Sequence, residues 1–124
     1  MINKLNHSTL VNSTNRLTIK KNDRYYFIVV KDIKYFISSA YYVDIYMTNM
    51  EKHVIRTSVK ALIDKLYLYK FARINRSTIV NTFQIKEIVS EGFGDYSILM
   101  VDEKTFSLTK KYKDTFFQSL EFIV

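Results

Sequence analysis

The sequence predicts a mainly β, antiparallel domain with one short internal helix and a second helix at its C-terminal end. Three observations point there. From Arg16 onward, several short runs alternate apolar and polar residues with a period of two. These runs favour β-branched and aromatic residues, and the chain holds ten Tyr and nine Phe. Helical spacing appears only twice, with no strand–helix–strand unit, glycine-rich phosphate loop or internal repeat.

The elements follow in order. Residues 1–15 are polar and rich in Asn, Ser and Thr, the composition of a tail or linker remnant, so the folded domain is expected over 16–124. Leu17 and Ile19 alternate with Thr18 and Lys20 as a strand. Lys21-Asn22-Asp23 offers a turn, and the apolar run Tyr25 to Val30 reads as a buried strand. Ile33 to Ile37 is another short apolar segment. Val43, Ile45 and Met47 alternate with Asp44, Tyr46 and Thr48, and Asn49 to Lys52 turns the chain into a return strand, His53 to Thr57.

Ser58 is a good N-cap, and Val59, Leu62, Ile63 and Leu66 follow as one apolar helical stripe, which reads as core. Gly92 and Gly94, the only glycines, mark a turn or bulge. Tyr96 to Val101 and Thr105 to Thr109 form a hairpin around Asp102-Glu103-Lys104. A last amphipathic helix starts near Lys110, with Tyr112, Phe116, Phe117 and Leu120 facing inward.

At 124 residues the chain is one domain, large enough for a real core. Its formal net charge of +7 favours a polyanionic partner, although solubility alone also accounts for such a charge. Without Cys there is no disulfide framework and no thiolate chemistry. Apolar runs fall far short of a membrane span, and MINKLNHSTL has no signal-peptide core, so the expectation is a cytoplasmic protein with no membrane partner.

The segment FARINRSTIVN, Phe71 to Asn81, carries the functional signal. Arg73, Asn75, Arg76 and Ser77 are set among the core-type residues Phe71, Ile74, Ile79 and Val80, and no Asp or Glu occurs between Asp64 and Glu87. A guanidinium offers a planar fork of donors that fits a phosphate or a guanine edge, and Asn and Ser add shorter donors. Edge-strand protection would explain the cations but not Asn75 and Ser77. A second basic cluster, Lys104, Lys110, Lys111 and Lys113, straddles the start of the last helix, where the helix N-terminus and the Thr109 hydroxyl suit a phosphate. A third candidate is Ser38 to Tyr42, whose small and hydroxyl residues, with Ser39 among them, and two Tyr, Tyr41 and Tyr42, could form a loop that touches a sugar-phosphate edge; read instead as an ordinary polar turn with one buried Tyr, it makes Tyr42 the better core candidate of the two.

Catalysis is not expected. Asp95, Asp102 and Lys104 match a loose nuclease pattern, but Asp102 and Lys104 fall in a turn read as exposed and mobile, unable to hold a metal. His7 and His53 are isolated from each other, and neither a metal nor another cofactor is called for.

FARINRSTIVN resembles the signature of LytTR-type DNA-binding domains: Phe, one residue, Arg, a His-Arg-Ser triplet one residue later, then an apolar-Val-Asn ending. DIKYFISSAYYVDIY, TSVKALIDKL, QIKEIVS and LTKKYKDTF are similar to further family segments in the same order, so the resemblance runs from about Arg16 to the C-terminus. Asn75 replaces the usual His, and Thr109 and Lys110 stand where Ser and Arg are common. Lys keeps the charge and loses bidentate geometry.

The resemblance implies an elongated antiparallel β-sandwich that binds double-stranded DNA through loops in successive major grooves. It maps those loops to Ser39–Tyr42, Asn75–Ser77 and Thr109–Lys111. It further implies a bacterial transcription regulator on direct repeats, with a homodimer on DNA as the associated expectation. The usual receiver domain has no room here, which points to a stand-alone regulator or an excised domain. Arg76, Lys111 and Asn75 are the expected base contacts, with Arg73, Ser77, Thr109 and Lys110 positioning phosphates or supporting loops. Two rival classes stand beside this one: a sequence-neutral RNA or single-strand binder that stacks bases on Tyr and Phe, and a protein-interaction β domain.

Overall fold

The computed structural model describes residues 15–124. The expected tail lies outside them except for Asn15, whose carbonyl accepts from the Val30 N–H at 3.0 Å and lengthens the first ladder.

Ten strands and two α-helices follow in chain order among these residues: β1 Arg16–Lys21, β2 Arg24–Val29, β3 Ile33–Ser39, β4 Tyr42–Met47, β5 Lys52–Arg56, α1 Val59–Lys65, β6 Phe71–Asn75, β7 Thr78–Asn81, β8 Ile85–Gly92, β9 Asp95–Met100, β10 Thr105–Leu108 and α2 Lys110–Gln118. All pairings are antiparallel. A five-stranded sheet, ordered β5-β4-β3-β7-β6, forms the middle layer. The ribbon β1-β2 and α1 pack on one of its faces, and the sheet β10-β9-β8 and α2 pack on the other.

Period-two alternation divides the middle sheet between two cores. Ile33, Phe36, Val43, Ile45 and Ile79 enter the core shared with α1, and Tyr35, Ala72, Ile74 and Val80 enter the core shared with Ile98, Met100, Leu108 and Phe116. Phe36, Ile74, Ile98 and Phe116 are among the fully buried side chains. Each such side chain contributes about 1.5–3 kcal/mol of burial. Local signals hold where they were expected: Ser58 Oγ accepts from the Ala61 N–H at 3.0 Å and caps α1, whose Val59, Leu62 and Leu66 are buried. Asn22 adopts a left-handed φ of 59° in the β1–β2 turn.

Two expectations on burial fail for one reason, the extent of the covering layers. Tyr25, Tyr26 and Phe27 are exposed, because β2 belongs to a two-stranded ribbon with one face against the core; only Ile28 and Val30 of that run are buried. Tyr42 is not core but 46% exposed. It pairs with Arg56 at the end of the β4–β5 ladder, beyond the packed layers.

The turn at Asp102 also differs from the expected loose one. The Asp102 carboxylate accepts from Lys34 Nζ at 2.8 Å, Tyr35 Oη at 2.7 Å and the Lys104 N–H at 2.9 Å. This pins the three-stranded sheet to β3. Burial acts to raise the Asp102 carboxyl, but the hydrogen bonds from Lys34, the Lys104 amide and Tyr35, with the Lys34 charge, outweigh it and hold the group below its ordinary range. Burial, followed by the bond to Asp102, pushes the Tyr35 phenol well up. Asp95 lies at the opposite end of β9, so the two carboxylates of the nuclease pattern do not converge. Among the described residues no group of three His, Cys, Asp or Glu could hold a metal ion. His53 sits on β5, half-buried beside Tyr26, while His7 lies outside the described residues.

Candidate nucleic-acid interface

The strand register brings the three predicted loops to one end of the molecule, away from the Asp102 pin. The Ser38 N–H donates to the Ser77 carbonyl at 2.8 Å, which joins the β3–β4 turn to the β6–β7 loop. The Thr109 N–H donates to the Ile74 carbonyl at 3.0 Å, which sets the start of α2 beside the same loop.

Within the β6–β7 loop the polar residues divide into supports and free groups. The pairing slips between Arg73 and Asn75, a bulge that ends the ladder. Arg73 donates to the Arg76 carbonyl at 2.6 Å and to the Asn75 carbonyl at 3.3 Å, and its guanidinium stands 4.9 Å from the centre of the Tyr112 ring. Asn75 Oδ1 accepts from the Ser77 N–H at 3.0 Å and from Ser77 Oγ at 3.3 Å, and Asn75 Nδ2 donates to the Ser107 carbonyl at 2.9 Å. Both ends of the Asn75 amide, and the Arg73 fork in part, are therefore used inside the protein. Arg76 is exposed, and among the described residues its side chain has no hydrogen bond or ion pair.

Thr109 is the N-cap of α2 with no side-chain cap bond, and it is exposed with Lys110 and Lys111. Lys111 Nζ lies 5.6 Å from the centre of the Tyr112 ring, so Tyr112 carries both Arg73 and Lys111. On the other side, Ser39, Tyr41 and Tyr42 are exposed around Ala40, which holds a φ of 55°. The Arg56 guanidinium lies 5.6 Å from the Tyr41 ring centre and 5.9 Å from that of Tyr42.

Two clefts flank Arg76. One, of about 450 Å³, is lined by Arg73, Arg76, Thr109, Lys111 and Tyr112. The other, of about 420 Å³, is lined by residues that include Ser38, Lys60, Arg73, Arg76 and Ser77. Neither lining contains a carboxylate. Arg56 and Lys60 are additions to the residues expected from sequence. Arg56 was legible from hairpin register, because it falls opposite Tyr42, whereas nothing local marks Lys60, which reaches the cleft through the packing of α1.

A β domain whose loop edge holds two cationic clefts with no carboxylate in their linings has the features of the polyanion-binding class of proteins. The family follows from comparison: the model of the LytTr DNA-binding domain matches residues 23–121. The chain belongs to that family, a non-enzymatic one whose domains serve DNA-binding transcriptional regulation. Among solved structures, it is similar to the LytTr DNA-binding domain of a protein described as a methyl-accepting/DNA response regulator from Bacillus cereus. That likeness has a TM-score of 0.73 at 19% identity, covering 89% of this chain and 100% of the other, and it establishes the fold. No curated protein sequence gives a significant match. Among the described residues no helix is long and apolar enough to cross a membrane.

Proposed function

We propose that this chain is a sequence-specific binder of double-stranded DNA that regulates transcription in the cytoplasm, with its loop edge in successive major grooves. The observation that carries the reading is the pair of acid-free clefts on either side of the unpartnered Arg76. A free guanidinium on a braced loop can take a guanine edge bidentately, and Lys60 in one cleft and Lys110 beside the other can take the phosphates next to it.

The roles divide by what each group has left to offer. Arg76 and Lys111 are the base contacts. Lys110, Thr109, Ser39, Tyr41 and Tyr42 take phosphates and sugars. Arg73, Asn75 and Ser77 spend their polar groups on shaping the loop, so Asn75 moves from third base contact to brace. Direct repeats would place two copies side by side on one face of the duplex, as a homodimer on DNA.

Selection from random duplex DNA tests the reading. Enriched, regularly spaced repeats are expected, and no enrichment would overturn it. One observation favours a second reading: Tyr25 and Phe27 are 61% and 57% exposed on the basic β1–β2 ribbon, as a single-strand stacking platform would need. Arg16 already lies over the Phe27 ring and Lys20 over the Tyr25 ring, at 4.6 Å and 5.8 Å from their centres, so duplex DNA is expected to win a competition with single-stranded probes.

A further inference from the structure

We infer that Phe93 is a specificity-determining side chain that lays its ring on the C5-methyl of a thymine in bound duplex DNA. The inference rests on the duplex-binding reading above and adds a fourth loop to it.

Phe93 and Gly94 form the two-residue turn between β8 and β9, with φ of 55° and 81°. Gly92 before them also has a positive φ, 88°, and the Phe93–Gly94 pair has the φ signs of a type I′ hairpin turn, whose first position suits Asn, Asp or Gly. A bulky aromatic is out of place there. It has no packing to offset the strain, since Phe93 is 101% exposed.

The turn lies at the loop end of the molecule. Leu108, the residue before Thr109, pairs with Tyr96, and Asp95, the first residue of β9, and Gly94 of the turn lie just beyond that level. A side chain added at Gly94 would stand 3.7 Å from Lys113 Nζ, in the first turn of α2. The hairpin tip therefore stands next to the helix start that presents Lys110 and Lys111.

The chemistry of the tip selects the kind of contact. Glu91 and Asp95 flank it, and both are exposed, so the tip itself carries two carboxylates beside the lysines of the helix start and is poorly suited to the phosphate backbone. What it presents is one apolar ring on a hairpin tip that projects past the end of β10 by the Gly92–Asp95 pair and the turn. A tip of that width fits the major groove, and the apolar group exposed there is the thymine methyl.

The Phe93→Asn variant separates this from an accident of the surface. Asn-Gly is the preferred sequence for the turn, so the variant should melt at a higher temperature than the parent chain. Its affinity for the selected duplex should nevertheless fall about three- to tenfold. Replacing thymines by uracil one at a time should weaken the parent by a similar factor at one position and leave Phe93→Asn unaffected there. Unchanged affinity of Phe93→Asn, equal uracil sensitivity in both proteins, or no uracil-sensitive position in the parent would each overturn the inference. Failure of the underlying reading looks different, because the parent chain would then show no duplex preference at all.

Discussion

The Asn75 amide nitrogen donates to the Ser107 carbonyl oxygen at 2.9 Å, from the middle sheet to the three-stranded sheet. The strand that leads into Arg76 and the strand that leads into Lys110 and Lys111 are thereby held at a fixed spacing. Asn75→Ala removes this bond and the two from Ser77, and should cost about 1–2 kcal/mol in urea unfolding. Duplex affinity should fall alike for every sequence, with the preferred base unchanged. A changed preference would assign Asn75 to the DNA itself.

Arg76 should behave in the opposite way. Its side chain supports nothing among the described residues, so Arg76→Ala should leave stability within about 0.5 kcal/mol. Binding to the selected duplex should weaken by about 1–3 kcal/mol, with discrimination relaxed at one base pair. Affinities measured on a panel of single-base variants of the site check this, and an unaltered ranking of the panel would remove Arg76 from base recognition.

Lys110 stands at the first position of α2, where its charge opposes the helix dipole. Lys110→Ala should raise stability slightly and weaken binding to all duplexes equally. If Lys110 takes a phosphate, the slope of log affinity against log salt should fall by about one unit. A salt titration that leaves the slope unchanged would free Lys110 of that role.

Asp102, at the end of the molecule away from the loops, is expected to act on stability rather than on binding. Asp102→Ala leaves the phenol of buried Tyr35 and the Lys34 ammonium without their acceptor, at a cost of about 2–3 kcal/mol. The carboxyl is held below its ordinary value in the folded state, so its contribution is complete above about pH 4–5. It is lost as pH falls through the lowered folded value. Denaturation from pH 7 to pH 2 should therefore show a steeper acid loss in the parent than in Asp102→Ala, while binding near neutral pH stays the same.

Signals carried by near neighbours in sequence were legible. The Ser58 cap is a contact over three residues, and the alternation of Val43, Ile45 and Met47 settles which face of β4 is buried. The order of residues in FARINRSTIVN pointed to the family that the comparison established. What stayed hidden depends on partners far along the chain. Asn75 meets Ser107 across 32 residues, and Asp102 meets Lys34 across 68, so sequence could not separate polar groups spent inside the protein from those left free. Exposure of Tyr25 to Phe27 was hidden similarly, because an apolar run does not reveal how many faces of its strand are covered.

The bond between Asn15 and Val30 has a practical consequence. Val30 leads directly into the start of β3, at the end where Asp102 grips Lys34, so the chain enters the described fold opposite Arg76. Tethering the protein to a sensor surface through a tag ahead of Asn15 should leave the loop edge facing the solution, and the binding measurements above can be made in that format without masking the residues they interrogate.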